Sequence, residues 1–119
     1  MRKAITVLAG GALLVGCTQT PTGWVSAGVG PLSTDAQVSY YQGAALVKQD
    51  VLAAGGGSSY DFRGSVGTLT CIQITRNQQT VAYRVPIETT VLMAIVISET
   101  NGQLKVEGNA RYTVASSCP

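Results

Sequence analysis

From Val66 onward the apolar and polar residues alternate with a period of two, which is the spacing of side chains on the two faces of a strand. The alternation predicts strands over Val66–Thr75, Thr80–Val85, Thr89–Glu99 and Leu104–Val114, broken by Arg76-Asn77-Gln78-Gln79, by Pro86 and by Asn101-Gly102. Asn-Gly between two alternating runs is a strong signal for a two-residue hairpin. Such a turn sets Thr100 opposite Gln103 and pairs Ile97 with Val106, Ile95 with Gly108, Met93 with Ala110 and Val91 with Tyr112. One face of the hairpin is therefore core. The other carries Leu92, Ala94 and Val96 beside Lys105, Glu107, Asn109 and Arg111, so half of it calls for cover or for a partner.

Between Thr34 and Gly57 a different period competes. Thr34 and Gln37 have capping-box spacing, Asp35 suits the positive end of a helix, and Gly55-Gly56-Gly57 supplies a stop. Tyr40, Ala44, Val47, Val51 and Ala54 recur at steps of three and four, which predicts a helix over 35–54. A rival division at Gly43 gives a β segment over Val38–Tyr41 and a shorter helix after it. The expected fold is α+β, a small antiparallel meander of about four strands with one N-terminal helix packed on it. An all-β small barrel or sandwich is the alternative. Residues 17–33, broken by Pro21, Gly23, Gly28, Gly30 and Pro31, are expected to form a flexible tether. Within it Trp24-Val25 docks a short strand on the domain, or Trp24 enters a lipid interface or a partner.

Composition narrows the chemistry. The chain has 119 residues, 14 of them glycine, and no histidine. Eight basic against six acidic residues give +2, and without Arg2 and Lys3 the balance is zero, which leaves no electrostatic case for nucleic acid. Without histidine the usual general base, the usual triads and most transition-metal sites are missing. Ser98 and Lys105 face each other in the hairpin register as any solvated cross-strand pair does, and the carboxylates Asp35, Asp50, Asp61, Glu88, Glu99 and Glu107 are scattered. No enzyme activity, metal or cofactor is expected. Arg63, Arg76, Arg84 and Arg111 are either separate surface charges or a recognition surface.

The amino terminus adds an address. Arg2 and Lys3 precede an uncharged apolar run from Ala4 to Val15, the layout of a secretory signal and too short to span a bilayer core of about 20 residues. Leu14-Val15-Gly16-Cys17 resembles the lipobox of bacterial lipoproteins. The resemblance implies cleavage between Gly16 and Cys17, diacylation of the Cys17 sulfur, and a mature protein held in the membrane by lipid. It divides the chain into a signal peptide (1–16), a lipidated tether (17–33) and one envelope domain (34–119). With Thr18 after the cysteine, rather than the Asp that retains lipoproteins at the inner membrane in enteric bacteria, outer-membrane sorting with a periplasm-facing domain is expected. Cys71 and Cys118 then remain as a pair in an oxidising compartment, where a disulfide is expected and two free thiols or a metal pair are the alternatives.

These features point to a non-enzymatic, lipid-anchored domain that binds another envelope protein, with Leu92, Val96 and Arg111 as candidate binding residues. In layout it is similar to phage superinfection-exclusion lipoproteins, which block outer-membrane receptors. Gly108-Asn109-Ala110-Arg111-Tyr112 resembles the Ser-Gly-x-x-Tyr loop of membrane-bound lysozyme inhibitors, which implies a second kind of partner. A structural envelope lipoprotein, or a component of a larger envelope machine, is the third reading.

Overall fold

Strand pairing extends much further toward the amino terminus than the alternation suggests. The computed structural model describes residues 20–119, in nine strands: β1 (Thr22–Val29), β2 (Ala36–Gln42), β3 (Ala45–Leu52), β4 (Ser58–Ser65), β5 (Leu69–Arg76), β6 (Gln79–Pro86), β7 (Met93–Thr100), β8 (Gln103–Glu107) and β9 (Thr113–Ala115). They form a five-stranded sheet in the order β9-β6-β5-β2-β3 and a four-stranded sheet in the order β4-β1-β7-β8. Every pairing is antiparallel except β1 with β7. Val25, Ala27, Val29, Phe62, Ile95 and Ile97 from one sheet meet Val38, Tyr40, Ile72, Ile74, Tyr83 and Val85 from the other, while Leu32 and Ile87 join this core from connecting segments. The central strands thus give alternate residues to one shared interior, as a two-layer sandwich requires.

The expected helix over 35–54 is instead the β2–β3 hairpin, and the fold is all-β rather than α+β. Ala36, Val38 and Tyr40, at steps of two, are buried, whereas Val51, assigned to the helical stripe, is 84% exposed. Gly43 lies in the turn at φ +61°, a backbone state glycine enters without strain. Asp35 accepts a hydrogen bond from the Ala54 N–H at 3.0 Å, 19 residues on. The carboxylate expected at a helix N-terminus therefore ties the two ends of a hairpin. Val38, Tyr40, Tyr41, Val47 and Val51 favour strands by side-chain shape, and the partner strand β5 decides the outcome. The rival division at Gly43 had the break and the first strand, with β3 in place of its helix.

Two further expectations change. Thr22–Val29, assigned to the tether, is β1 and lies between β4 and β7. The last hairpin keeps the expected register from Thr100–Gln103 to Val96–Glu107, including Ile97 opposite Val106, and then stops. Gly108 at φ +115° turns the chain out of the ladder, so the pairs Ile95–Gly108, Met93–Ala110 and Val91–Tyr112 do not form. A Cβ on Gly108 would stand 2.2 Å from the Ala94 carbonyl oxygen, so this corner admits only glycine. The chain crosses to the other sheet, where β9 pairs with β6. A simple meander is thereby excluded.

Candidate binding face

The four-stranded sheet turns alternate residues outward, and ladder register fixes their rows. One row crosses Ser59, Gly28, Val96 and Glu107, and the next crosses Asp61, Ser26 and Ala94. Trp24 lies opposite Arg63 at the end of the face, with the guanidinium carbon 5.3 Å from the indole centroid. Leu92 flanks a hollow with Trp24, Ser26 and Asp61. Leu92 and Val96 are 59% and 41% exposed, so nothing within the described domain covers this face. Its centre is a floor of small side chains.

Gly28 explains the floor. It sits inside a strand, where glycine ordinarily weakens the sheet, yet a Cβ built on it meets nothing within 4 Å. Gly23 and Gly64 differ: a Cβ on Gly23 would approach the Thr89 carbonyl oxygen to 2.2 Å, and one on Gly64 the Gln42 amide nitrogen to 2.6 Å. Backbone packing accounts for Gly23, the Gln42 side chain would have to move for Gly64, and neither reason applies to Gly28.

Beside Gly28 the face opens into a cleft of about 640 Å³ at the seam between the edge strands β3 and β4, with Val96, Lys48, Asp50, Ser58 and Ser59 in its wall. Tyr40 donates its hydroxyl hydrogen to Ser58 Oγ at 2.9 Å, and Ser58 donates to Asp50 Oδ2 at 2.5 Å. Lys48 Nζ is 3.4 Å from Asp50 Oδ2 and donates to the Ser59 carbonyl at 2.7 Å. The Ser58 hydrogen bond, followed by the Lys48 charge, holds the Asp50 carboxyl below its ordinary range, and burial pushes the Tyr40 hydroxyl up. A carboxylate stabilised in this way is a poor base for the Ser58 hydroxyl. The chain of groups fastens β2 and β3 to β4 and leaves a polar, glycine-rich wall.

Not all the predicted residues converge. Leu92 and Val96 share the face, but Arg111 lies in the connection after β8, with Nε 3.5 Å from Glu88 Oε1. Cys71 and Cys118 form the expected disulfide, Cα atoms 5.8 Å apart. It ties the carboxyl-terminal segment to the outer face of the five-stranded sheet, where Cys118 N–H donates to Gln73 Oε1 and Arg84 Nη2 donates to the Ser117 carbonyl. Arg63, Arg76, Arg84 and Arg111 do not form one surface. Ser98 does face Lys105, whose Nζ is 3.5 Å from Glu107 Oε2. Gly108–Tyr112 is a corner rather than a strand: Asn109 Oδ1 accepts from Ala94 N–H at 2.8 Å and the Tyr112 ring stands edge-on to Tyr83. Gly16 and Cys17 lie outside the described residues.

Sequence reasoning missed the ion pair between Arg76 and Glu99. Glu99 also accepts from the Ser33 N–H at 3.0 Å and from its hydroxyl, and Arg76 Nη2 reaches the Gly102 carbonyl at 3.0 Å. Only the placement of Arg76 and Glu99 at the ends of strands hinted at it. Among the described residues no group of three His, Cys, Asp or Glu is placed to hold a metal, and no helix is long and apolar enough to cross a membrane.

Fold and faces together define a small, disulfide-linked all-β sandwich whose two outward sheet faces both expose apolar side chains, Leu92 and Val96 on one and Leu46 and Val51 on the other. No family model matches the chain, and neither a curated protein nor a solved structure matches it.

Proposed function

We propose that this protein is a non-enzymatic, lipid-anchored envelope protein that binds another envelope protein through the outer face of the four-stranded sheet, around Gly28 and Val96. The observation that carries the reading is Gly28, a mid-strand glycine with no internal packing reason, set between Ser59 and the exposed Val96. A floor without long side chains lets another backbone or aromatic ring approach closely, and the apolar Val96 gains by being covered. The lipobox supports anchoring at Cys17, which raises the concentration of the domain near partners in the same membrane. In this reading the domain acts by occupancy, as a receptor-blocking exclusion lipoprotein does.

A photo-crosslinking amino acid at Val96 or Ser59 of the full-length protein in cells tests this. Adducts of one discrete size are expected from both positions, and none from Val114, which is 63% exposed on the other sheet. Cys17→Ala should abolish them. Adducts from Val114 alone, or none from the Val96 face of a folded protein, would contradict the reading.

A further inference from the structure

The length of chain between Cys17 and the fold limits how the domain can sit. Five residue steps separate Cys17 from Thr22, the first residue of β1, and at about 3.3–3.6 Å per step they span at most about 18 Å. The eight residues of β1 then run about 23 Å further, so the Val29 end can stand up to about 41 Å from the anchor point, whereas Thr22 lies within about 18 Å of it however the tether runs. The Thr22 end stays beside it.

The two ends differ in chemistry. The far end is built from the turns Asn77–Gln78 and Asn101–Gly102 and the stretch Gly55–Gly57, with the exposed Val51 of β3 beside them. The near end exposes Val91 (62%), Leu92 (59%) and Leu69 (37%), with Trp24 half-buried against Arg63. Register brings these groups together: β1 runs parallel to β7 from Val25–Met93 onward, so Leu92 stands at the level of Trp24. An indole with a guanidinium over it, flanked by aliphatic side chains, suits a boundary where one part contacts acyl chains and another contacts phosphates.

We infer that the Thr22 end of the sandwich, through Trp24, Val91 and Leu92, seats on the phospholipid leaflet that holds the Cys17 acyl chains, with Arg63 at the headgroup phosphates. The inference rests on the acylated Cys17 of the reading above. Seating at this end turns the Gly28–Val96 face sideways along the membrane, toward neighbours in the same leaflet. Two or more acyl chains anchor the protein, and the protein contact fixes its orientation.

Trp24 is the sole tryptophan and reports directly. The mature protein is purified in detergent, its amino terminus checked for acyl chains by mass spectrometry, and reconstituted into phosphatidylethanolamine–phosphatidylglycerol vesicles with or without brominated acyl chains. The expected result is blue-shifted Trp24 emission that is quenched in brominated vesicles and not in unbrominated ones, as for an interfacial indole. Quenching is expected to be lost in a Val91→Asp/Leu92→Asp double variant that melts like the parent. If that variant does not fold, quenching in the parent decides alone. Acylated protein with unquenched emission overturns the inference and leaves the anchor standing. Protection of Trp24 from aqueous acrylamide without quenching by brominated lipid assigns this end to a protein or a second copy, and also overturns it. A protein without acyl chains on Cys17 overturns the anchor and this inference together.

Discussion

At the residue scale, a few side chains do work that their spacing in the chain does not reveal. Glu99 is the clearest. Hydrogen bonds from the Ser33 hydroxyl and N–H, then the Arg76 charge, hold its carboxyl below its ordinary value of 4.5. Because the folded value is depressed, the stabilisation is complete above the unfolded value and is lost as the pH falls through the folded one. Glu99→Gln is expected to lower the melting temperature at pH 7 and to flatten the fall in stability below about pH 4.5, with Asp50 supplying part of the fall that remains. Thermal melts across that range check it; a variant with the parent's acid profile would remove Glu99 from the account. Gly28 makes the opposite kind of case. Gly28→Thr puts a strand-favouring residue into open space, so the melt is expected to match the parent or to gain up to about 1 kcal/mol, while the Val96 adduct is lost. A destabilised Gly28→Thr would mean that the glycine serves the fold.

Elements are where sequence and structure part. The β7–β8 turn and its first pairs were legible because Asn101 and Gly102 at positive φ match the twist of the flanking strands, and Ile97 and Val106 share a face. Its end was not. Nothing local announces that the Ala94 carbonyl oxygen will occupy the space beside Gly108, since that contact is tertiary. Gly108→Ala should cost at least about 2 kcal/mol, combining an unfavourable φ with a steric clash, in a denaturant titration. Gly102→Ala, with positive φ but open space, should cost only about 1 kcal/mol. Equal costs would argue against a close-packed corner. The 35–54 stretch misleads for a related reason: a glycine stop and a Thr-x-x-Gln match are compatible with a helix taken alone. Only the neighbouring β5 gives Val38 and Tyr40 a reason to alternate. Val96, on the face that called for cover or for a partner, is open, so Val96→Asp should melt within about 0.5 kcal/mol of the parent. A large loss would restore a covered face.

At the scale of the whole molecule, the order of attachment points organises the account. If Cys17 carries the proposed acyl chains, the Thr22 end of β1, five steps on, is the end tethered to the bilayer, and the Cys71–Cys118 bond holds the carboxyl end against the opposite sheet. That bond closes a loop of 47 residues, and its loss is expected to remove about 4 kcal/mol through chain entropy. The pairing was legible from cysteine count and the compartment that the lipobox implies, whereas only Leu92 and Val96 of the proposed binding face stood out in the sequence. Gly28 was hidden among glycines that turn or pack, because sequence alone does not say which glycines have empty space beside them. The anchor remains the premise on which partner choice and orientation depend. Its most direct measurement is the intact mass and amino-terminal peptide of the protein isolated from membranes. The account expects a chain beginning at Cys17 with acyl chains on that residue, in the outer-membrane fraction. A soluble protein beginning elsewhere, with an unmodified Cys17 or none, would contradict it.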